Sequence, residues 1–312
     1  MTQLAQSSES VPLCSFIICT FARANLLEHC LLSLLRNPDF TFAKYEILVV
    51  DNANDGPTKE LCHRLDSQIR YILEPRIGLS IARNTGGQEA KGTYLGYLDD
   101  DAKIHPDFFV AMKNLPYSDY DCFGGVYLAW FPFGRPKWLP SNFGNKIKLL
   151  SHPGVLEDGY LSGNLFFVKK EVLFNVGGFR TDLGMVGHRI WYGEEDELQD
   201  RIRAANYSIG FSPDLKIDHA VLPQKLTLSW HLKQSFVKGR MRQMRSPKPG
   251  SQLWMECFSV ILLFPVRMLY HGFRWLFQSD FYWQNFVLFT VGSVTQTAGV
   301  TYQSIFGTRE IV

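Results

Sequence analysis

Three consecutive carboxylates, Asp99, Asp100 and Asp101, close the apolar run Thr93-Tyr94-Leu95-Gly96-Tyr97-Leu98. A short run of this composition predicts a buried strand. An ionised carboxylate inside a strand is costly without a partner, so the charges belong just past the strand's end, in water or on a cation. Side chains at i and i+2 share a face, so Asp99 and Asp101 can converge on one ligand while Asp100 points elsewhere. Two hard oxygen donors at a strand's carboxyl end suit Mg²⁺ or Mn²⁺, above all an ion shared with a diphosphate. Taken alone, such a triplet is equally a solvated acidic turn. A second acidic run, Glu194-Glu195-Asp196-Glu197, opens a helical pattern. The helix dipole and the free N–H groups favour carboxylates there, which accounts for one or two of the four.

The elements that must place these groups alternate along the first half of the chain. Strand-like runs cover Leu13 to Cys19, Tyr45 to Val50, Arg70 to Leu73 and Thr93 to Leu98. Helical patterns separate them through Leu26 to Leu35, Lys59 to Leu65 and Leu79 to Ala90. Such alternation predicts a largely parallel sheet covered on both faces, with ligands bound beyond the strands' carboxyl ends. Thr20, Asp51 and Asp99 all fall at such ends. Further on, strands are expected at Cys122 to Trp130, Tyr160 to Val168 and Ser208 to Ser212, and a helix at Glu194 to Ala205. The Pro- and Trp-rich stretch Phe131 to Asn142 is too irregular to assign.

Composition excludes some functions. With 46% hydrophobic and 20% charged residues in 312, the chain has a large core, and a net charge of +2 gives no reason to expect nucleic acid as a partner. Six cysteines show no metal-finger or CxxC spacing, which points to buried thiols in a reducing compartment. Met1 to Ser10 is polar with no apolar stretch, so a cleaved secretion signal is not expected. The charge is uneven: His219 to Met255 holds no Asp or Glu but carries Lys225, Lys233, Lys238, Arg240, Arg242, Arg245 and Lys248. Apolar runs follow at Leu253 to Val266, Phe273 to Phe277 and the uncharged Phe281 to Thr308. None reaches about 20 consecutive apolar residues, so helices lying in a lipid interface are expected rather than a span.

Over residues 13 to 220 the chain resembles the family 2 glycosyltransferases, on pieces that come in that family's order. They are Ile18-Cys19-Thr20-Phe21 with Arg23; Val49-Val50-Asp51-Asn52; Gly78 to Gly86; Leu98-Asp99-Asp100-Asp101; and Gly193-Glu194-Glu195-Asp196-Glu197-Leu198 with Arg201. The resemblance implies an α/β GT-A nucleotide-diphospho-sugar transferase fold, a Rossmann-like mixed sheet with helices on both faces. A C-terminal helical, membrane-associated segment is appended. The domains expected are a catalytic one at 11–222 and a basic, apolar helical tail at 223–312.

The resemblance also implies roles. Thr20, Arg23, Asp51, Asn52, Arg83, Asp99 and Asp100 would bind the nucleotide sugar, with Asp51-Asn52 reading the base. Asp101, Asp99 and His219 would hold Mg²⁺ or Mn²⁺. The general base would be Glu195, with Glu194 and Asp196 as alternative registers. Trp138, Gly163 and Asn164 would build the acceptor side, Trp138 offering a flat face to a sugar ring. The activity implied is inverting transfer from a nucleoside-diphosphate donor, a UDP-sugar first, to a saccharide. Processive relatives carry a QxxRW element that this chain lacks, which favours addition of a single sugar. The tail adds a lipid-linked acceptor and a monotopic place on the cytoplasmic face of the inner (plasma) membrane, as in surface-polysaccharide assembly. Two rivals are a sugar-nucleotide pyrophosphorylase, disfavoured by the absence of glycine from Thr20 to Asn25, and a catalytically inactive membrane-bound protein that retains nucleotide-sugar binding.

Overall fold

The computed structural model describes residues 11–145, 149–187 and 192–307. The polar segment Met1 to Ser10 lies outside them. In chain order the elements are β1 (Cys14–Thr20), α1 (Ala24–Leu35), β2 (Tyr45–Asp51), α2 (Gly56–Leu65), β3 (Arg70–Leu73), α3 (Leu79–Glu89), β4 (Tyr94–Asp99), β5 (Ala102–Ile104) and α4 (Phe108–Asn114). They continue with β6 (Cys122–Trp130), β7 (Gly154–Val155), β8 (Leu165–Lys169), α5 (Lys170–Asn175), α6 (Glu194–Ala204) and β9 (Ile209–Ala220). Three long helices end the chain: α7 (Leu228–Arg245), α8 (Gly250–Phe277) and α9 (Trp283–Phe306).

The strands form one sheet in the order β3-β2-β1-β4-β8-β6-β9-β5, with β7 on β9. The β3-β2-β1-β4 half is parallel, as strand–helix alternation requires. From β8 onward the pairings with a recorded register are antiparallel, so the sheet is mixed. Register aligns the strand ends that carry polar residues: Thr20 pairs with Asp51, and Cys19 with Asp99. On the far edge, Ala102 of β5 pairs with His219 of β9, which brings the histidine beside the acidic triplet.

Apolar clusters cover both faces of the sheet. On one, the Phe123 and Phe167 rings stack with centroids 4.7 Å apart, and Phe16 meets Phe167 edge-on. The five cysteines of this part are all buried and free. Two strands differ from expectation. The run expected at Tyr160 to Val168 pairs only from Leu165, because the Leu161 N–H and C=O are taken by the Gln199 amide and the Gly163 C=O by Arg83. β9, expected only at Ser208 to Ser212, runs as one strand over Ile209–Ala220.

The chain divides into two compact units, one built from 1–129, 144–189 and 193–219, the other from 130–143, 190–192 and 220–312. The boundary near 220 lies close to that expected, but Trp130–Phe143 belongs to the helical unit. There the Trp138 ring meets His231 edge-on, and the Asn285 amide donates to the Trp138 C=O at 2.8 Å. α7 and α9 pack closely through Gly239 and Gly299. A methyl group on either would fall within 2.0 Å of a backbone oxygen on the other helix. α8 is one continuous 28-residue helix running through Pro265, not two apolar pieces. By length and composition it suffices to cross a membrane. Its residues Trp254, Phe258, Ile261, Leu262, Leu269, Phe273 and Leu276 recur at helical spacing and stand exposed.

Candidate active site

β4 ends at Asp99, and the next two residues turn the chain into β5. Asp99, Asp101 and His219 each present a ligand atom, all within 4.8 Å of one another. His219 Nε2 lies 3.1 Å from Asp101 Oδ1 and 3.7 Å from Asp99 Oδ2. The His219 ring also packs on Tyr127, a neighbour that nothing in the sequence pattern foretold. Burial pushes the Asp99 carboxyl up, but the hydrogen bond from His219 and the charge of Arg83 prevail and hold it below the ordinary range. Two carboxylates and an imidazole form a donor set that fits a divalent cation of the Mg²⁺ or Mn²⁺ type.

Asp100 faces the other way. It is fully buried, accepts from the Thr20 hydroxyl at 2.7 Å, and pairs with Arg23 at 2.7 Å. Burial raises its carboxyl to about 7 despite the neighbouring guanidinium. Thr20 and Asp100, both expected on the nucleotide, thus bind each other behind the site. Arg23 remains partly exposed and reaches Asp101 at 3.4 Å.

The acidic helix start divides its carboxylates between two tasks. Glu197 pairs with Arg201 one turn on, at 2.7 Å. Glu194 is buried and pairs with Arg83 Nη1 at 2.9 Å. Burial and then the adjacent Glu195 raise the Glu194 carboxyl well above the ordinary glutamate range. Glu195 is only partly buried, and its Oε2 is a buried atom with no hydrogen-bond partner among the described residues. The absence of a side chain at Gly163 makes room for it: a methyl group there would lie 3.2 Å from Glu195 Oε1 and 3.0 Å from Arg83 Nη2. Next to it, Asn164 is buried with Oδ1 likewise unpartnered among the described residues. Gly163, Asn164 and Glu195 therefore belong together.

Three of the expected positions have partners within the protein itself. Arg83, expected on the nucleotide, is 4% exposed and turned inward to Glu194, the Gly163 C=O and Asp99. Asp51 and Asn52, expected to read the base, are both occupied locally. Asp51 accepts from the N–H groups of Ala53, Asn54 and Asp55 and from the Tyr71 hydroxyl. Asn52 donates to the carbonyls of Glu74 and Arg76 and accepts from the Gly78 N–H. Trp138 is 8% exposed and packed in the helical unit. Apart from the N–H groups of Ala53, Asn54 and Asp55 and the Asp99 carboxylate, these partners lie 20 or more positions away, beyond what residue type and strand-end position reveal.

Comparison with known proteins agrees with this fold. The profile of Glycosyl transferase family 2 matches residues 15–181. Glycosyltransferase AglE of Haloferax volcanii is 24% identical over 253 residues, covering 80% of this chain and 76% of that protein. Succinoglycan biosynthesis protein ExoM of Rhizobium meliloti is 24% identical over 229 residues, covering 72% of each. Among solved structures, the mannosyltransferase PcManGT from Pyrobaculum calidifontis, in complex with GDP-Man and Mn²⁺, superposes with a TM-score of 0.54 at 18% identity, over 94% of this chain and 75% of that one. GalNAc-T7 with UDP, GalNAc and Mn²⁺ gives 0.53 at 18% identity, over 77% of this chain and about half, 52%, of its own length. At this identity the two structures establish a shared fold.

Proposed function

The chain belongs to the family 2 glycosyltransferases, and we propose that it transfers one sugar, with inversion, from a nucleoside diphosphate to a lipid-linked saccharide in surface-polysaccharide synthesis. The observation that carries this reading is the pairing of two groups at the carboxyl end of the sheet. One is the Asp99–Asp101–His219 cluster, and the other is Glu195, with Arg83 reaching toward both. A UDP-sugar is the first donor to test, and a GDP-sugar the second.

An acceptor hydroxyl is a weak nucleophile near neutral pH. Glu195, with one carboxylate oxygen unpartnered, takes the hydroxyl proton as the oxygen attacks the anomeric carbon. The bond to the diphosphate breaks on the opposite face, so no covalent sugar–enzyme intermediate is required. Asp99, Asp101 and His219 would hold a divalent cation, which when bound would supply Lewis-acid stabilisation of the departing diphosphate. Arg23, partly exposed beside Asp101, adds positive charge on the same side.

The acceptor's lipid is supported by α8. An apolar stripe runs its whole length, while Glu256, Arg267 and Arg274 interrupt it as charges that a span would have to bury. Glu256 is neutralised by Arg242 and Lys248. A helix lying in the cytoplasmic membrane surface keeps its stripe in the acyl boundary and its charges in water. Basic residues there add on the order of 1 kcal/mol each on anionic lipid. The full chain is expected to float with anionic vesicles and to leave them in detergent. Indifference to such vesicles would remove the lipid from this reading.

The transfer is tested on Glu195. With Mn²⁺ present, UDP or GDP should raise the thermal midpoint of the wild type and of Glu195→Gln alike, because the base meets the acceptor. Turnover in Glu195→Gln should fall by roughly 10²–10⁴-fold. Full turnover in that variant, with loss in Glu194→Gln or Asp196→Asn, would move the base to a neighbouring register. Metal-dependent nucleotide binding without transfer to any acceptor would favour the inactive binding protein.

A further inference from the structure

Arg83 lies on α3, over the Phe179 ring at 5.3 Å, and stands between two acidic groups from different elements. One arm donates to Glu194 on α6 at 2.9 Å. The other reaches the Gly163 C=O at 3.3 Å and Asp99, at the end of β4, at 3.5 Å. Both Arg83 and Glu194 are at least nineteen-twentieths buried. A buried ion pair seldom adds stability over an apolar pair of the same shape, so its presence asks for another reason. Beside it, Glu194 Oε2 and Glu195 Oε2 are both buried with no hydrogen-bond partner among the described residues. Burial first, and the neighbouring Glu195 second, disfavour charge on Glu194.

We propose that Arg83 is a positioning residue that ties the cation-holding end of β4 to the base helix, and that by fixing Glu194 it sets the place of Glu195 beside it. The catalytic consequence rests on the reading of Glu195 as the base, whereas the linkage itself does not. A lysine could not replace it, since an ammonium is a point charge and cannot fork between Glu194 and Asp99. Glu194 is faced by Glu195 on its own helix and by Arg83 from α3; Asp99 acts on it through Arg83.

The linkage has a readout that needs no donor or acceptor. The Glu194 carboxyl is raised in the folded state, by burial first and Glu195 second, with Arg83 opposing. Its contribution to stability is therefore full below the ordinary glutamate range and is lost as pH rises toward the folded value. Asp100 acts with the same sign but is common to every variant. Thermal midpoints would be followed from about pH 5 to pH 8, with and without UDP and MnCl₂.

Glu194→Gln should flatten the fall of the midpoint with pH. Arg83→Gln should carry that fall to higher pH and shrink the UDP–Mn²⁺ shift, because Asp99 loses its partner. Arg83→Lys should keep the wild-type pH response yet lose roughly half or more of the UDP–Mn²⁺ shift. If Arg83→Gln does not fold, the double variant with Glu194→Gln removes both buried charges. It should fold, with a flat pH response and a reduced shift. A midpoint lowered equally at all pH values, or an unchanged UDP–Mn²⁺ shift in Arg83→Gln or the double variant, would overturn the proposal. Full turnover in Glu195→Gln would instead remove the base assignment and leave this linkage standing.

Discussion

The ends of β2 and β4 look alike in sequence and behave differently in the fold. Each is an apolar strand closed by acid, Val49-Val50-Asp51-Asn52 on one side and Tyr97-Leu98-Asp99-Asp100-Asp101 on the other. At β2 the Asp51 carboxylate accepts three backbone N–H groups and a tyrosine hydroxyl, and Asn52 holds three backbone groups of the segment after β3. At β4, Asp100 is tied down by the Thr20 hydroxyl and Arg23, and Asp101 is buried as well. Asp99 and Asp101 face His219, a side chain that is itself a cation ligand. The first end is a turn held together by acid. The second brings together two carboxylates and an imidazole that could hold a cation. What separates them is what faces the carboxylates: three backbone N–H groups and a tyrosine hydroxyl at β2, a histidine and a second carboxylate at β4.

The sharpest test of that contrast is Asp101→Asn. The amide keeps the shape but removes a charge and half of the acceptor capacity. Transfer should fall by roughly 10³-fold or more, together with the Mn²⁺-dependent stabilisation by UDP or GDP. The fold should hold, because the change also relieves repulsion among three adjacent carboxylates. Turnover of the wild type that persists in excess EDTA would show that the cluster holds no essential cation.

The parallel half of the sheet, the strand ends and the basic helical tail were legible because period, turn residues and charge runs carry them. Sequence placed Asp99, Asp101 and His219 in one site although His219 lies 118 residues beyond Asp101, since the resemblance fixed its position. The inward turn of Arg83 was hidden, because its partners Glu194 and Gly163 come from elements that periodicity cannot bring together. The packing of Trp138 was hidden for a related reason. A tryptophan in an irregular Pro-rich loop has no periodicity to say which face is covered, and His231 covers it from a helix more than 90 residues away. The continuity of α8 was missed because Arg267, His271 and Arg274 broke the apolar count without breaking the helix. Packing on α9 receives one of these, with Arg267 bonded to the Ser293 hydroxyl.

The same chemical change at the other strand end should act on stability instead. Asp51→Asn leaves an amide where four donors converge, so its own NH₂ must face at least one N–H or hydroxyl. Hydrogen bonds to a charged group contribute about 1.5–3 kcal/mol each, and a buried donor left unmade costs about 1–3 kcal/mol. Rotation of the amide can keep the bonds to one oxygen, so a net loss of about 2–4 kcal/mol is expected rather than the sum over four. That should lower the thermal midpoint by several degrees, and Tyr71→Phe, which removes one donor, should recover part of it. The UDP–Mn²⁺ shift, measured below the lowered midpoint, should stay close to the wild type. A variant with an unchanged midpoint and a lost nucleotide shift would reverse the assignment, making Asp51 a nucleotide ligand and the two strand ends alike after all.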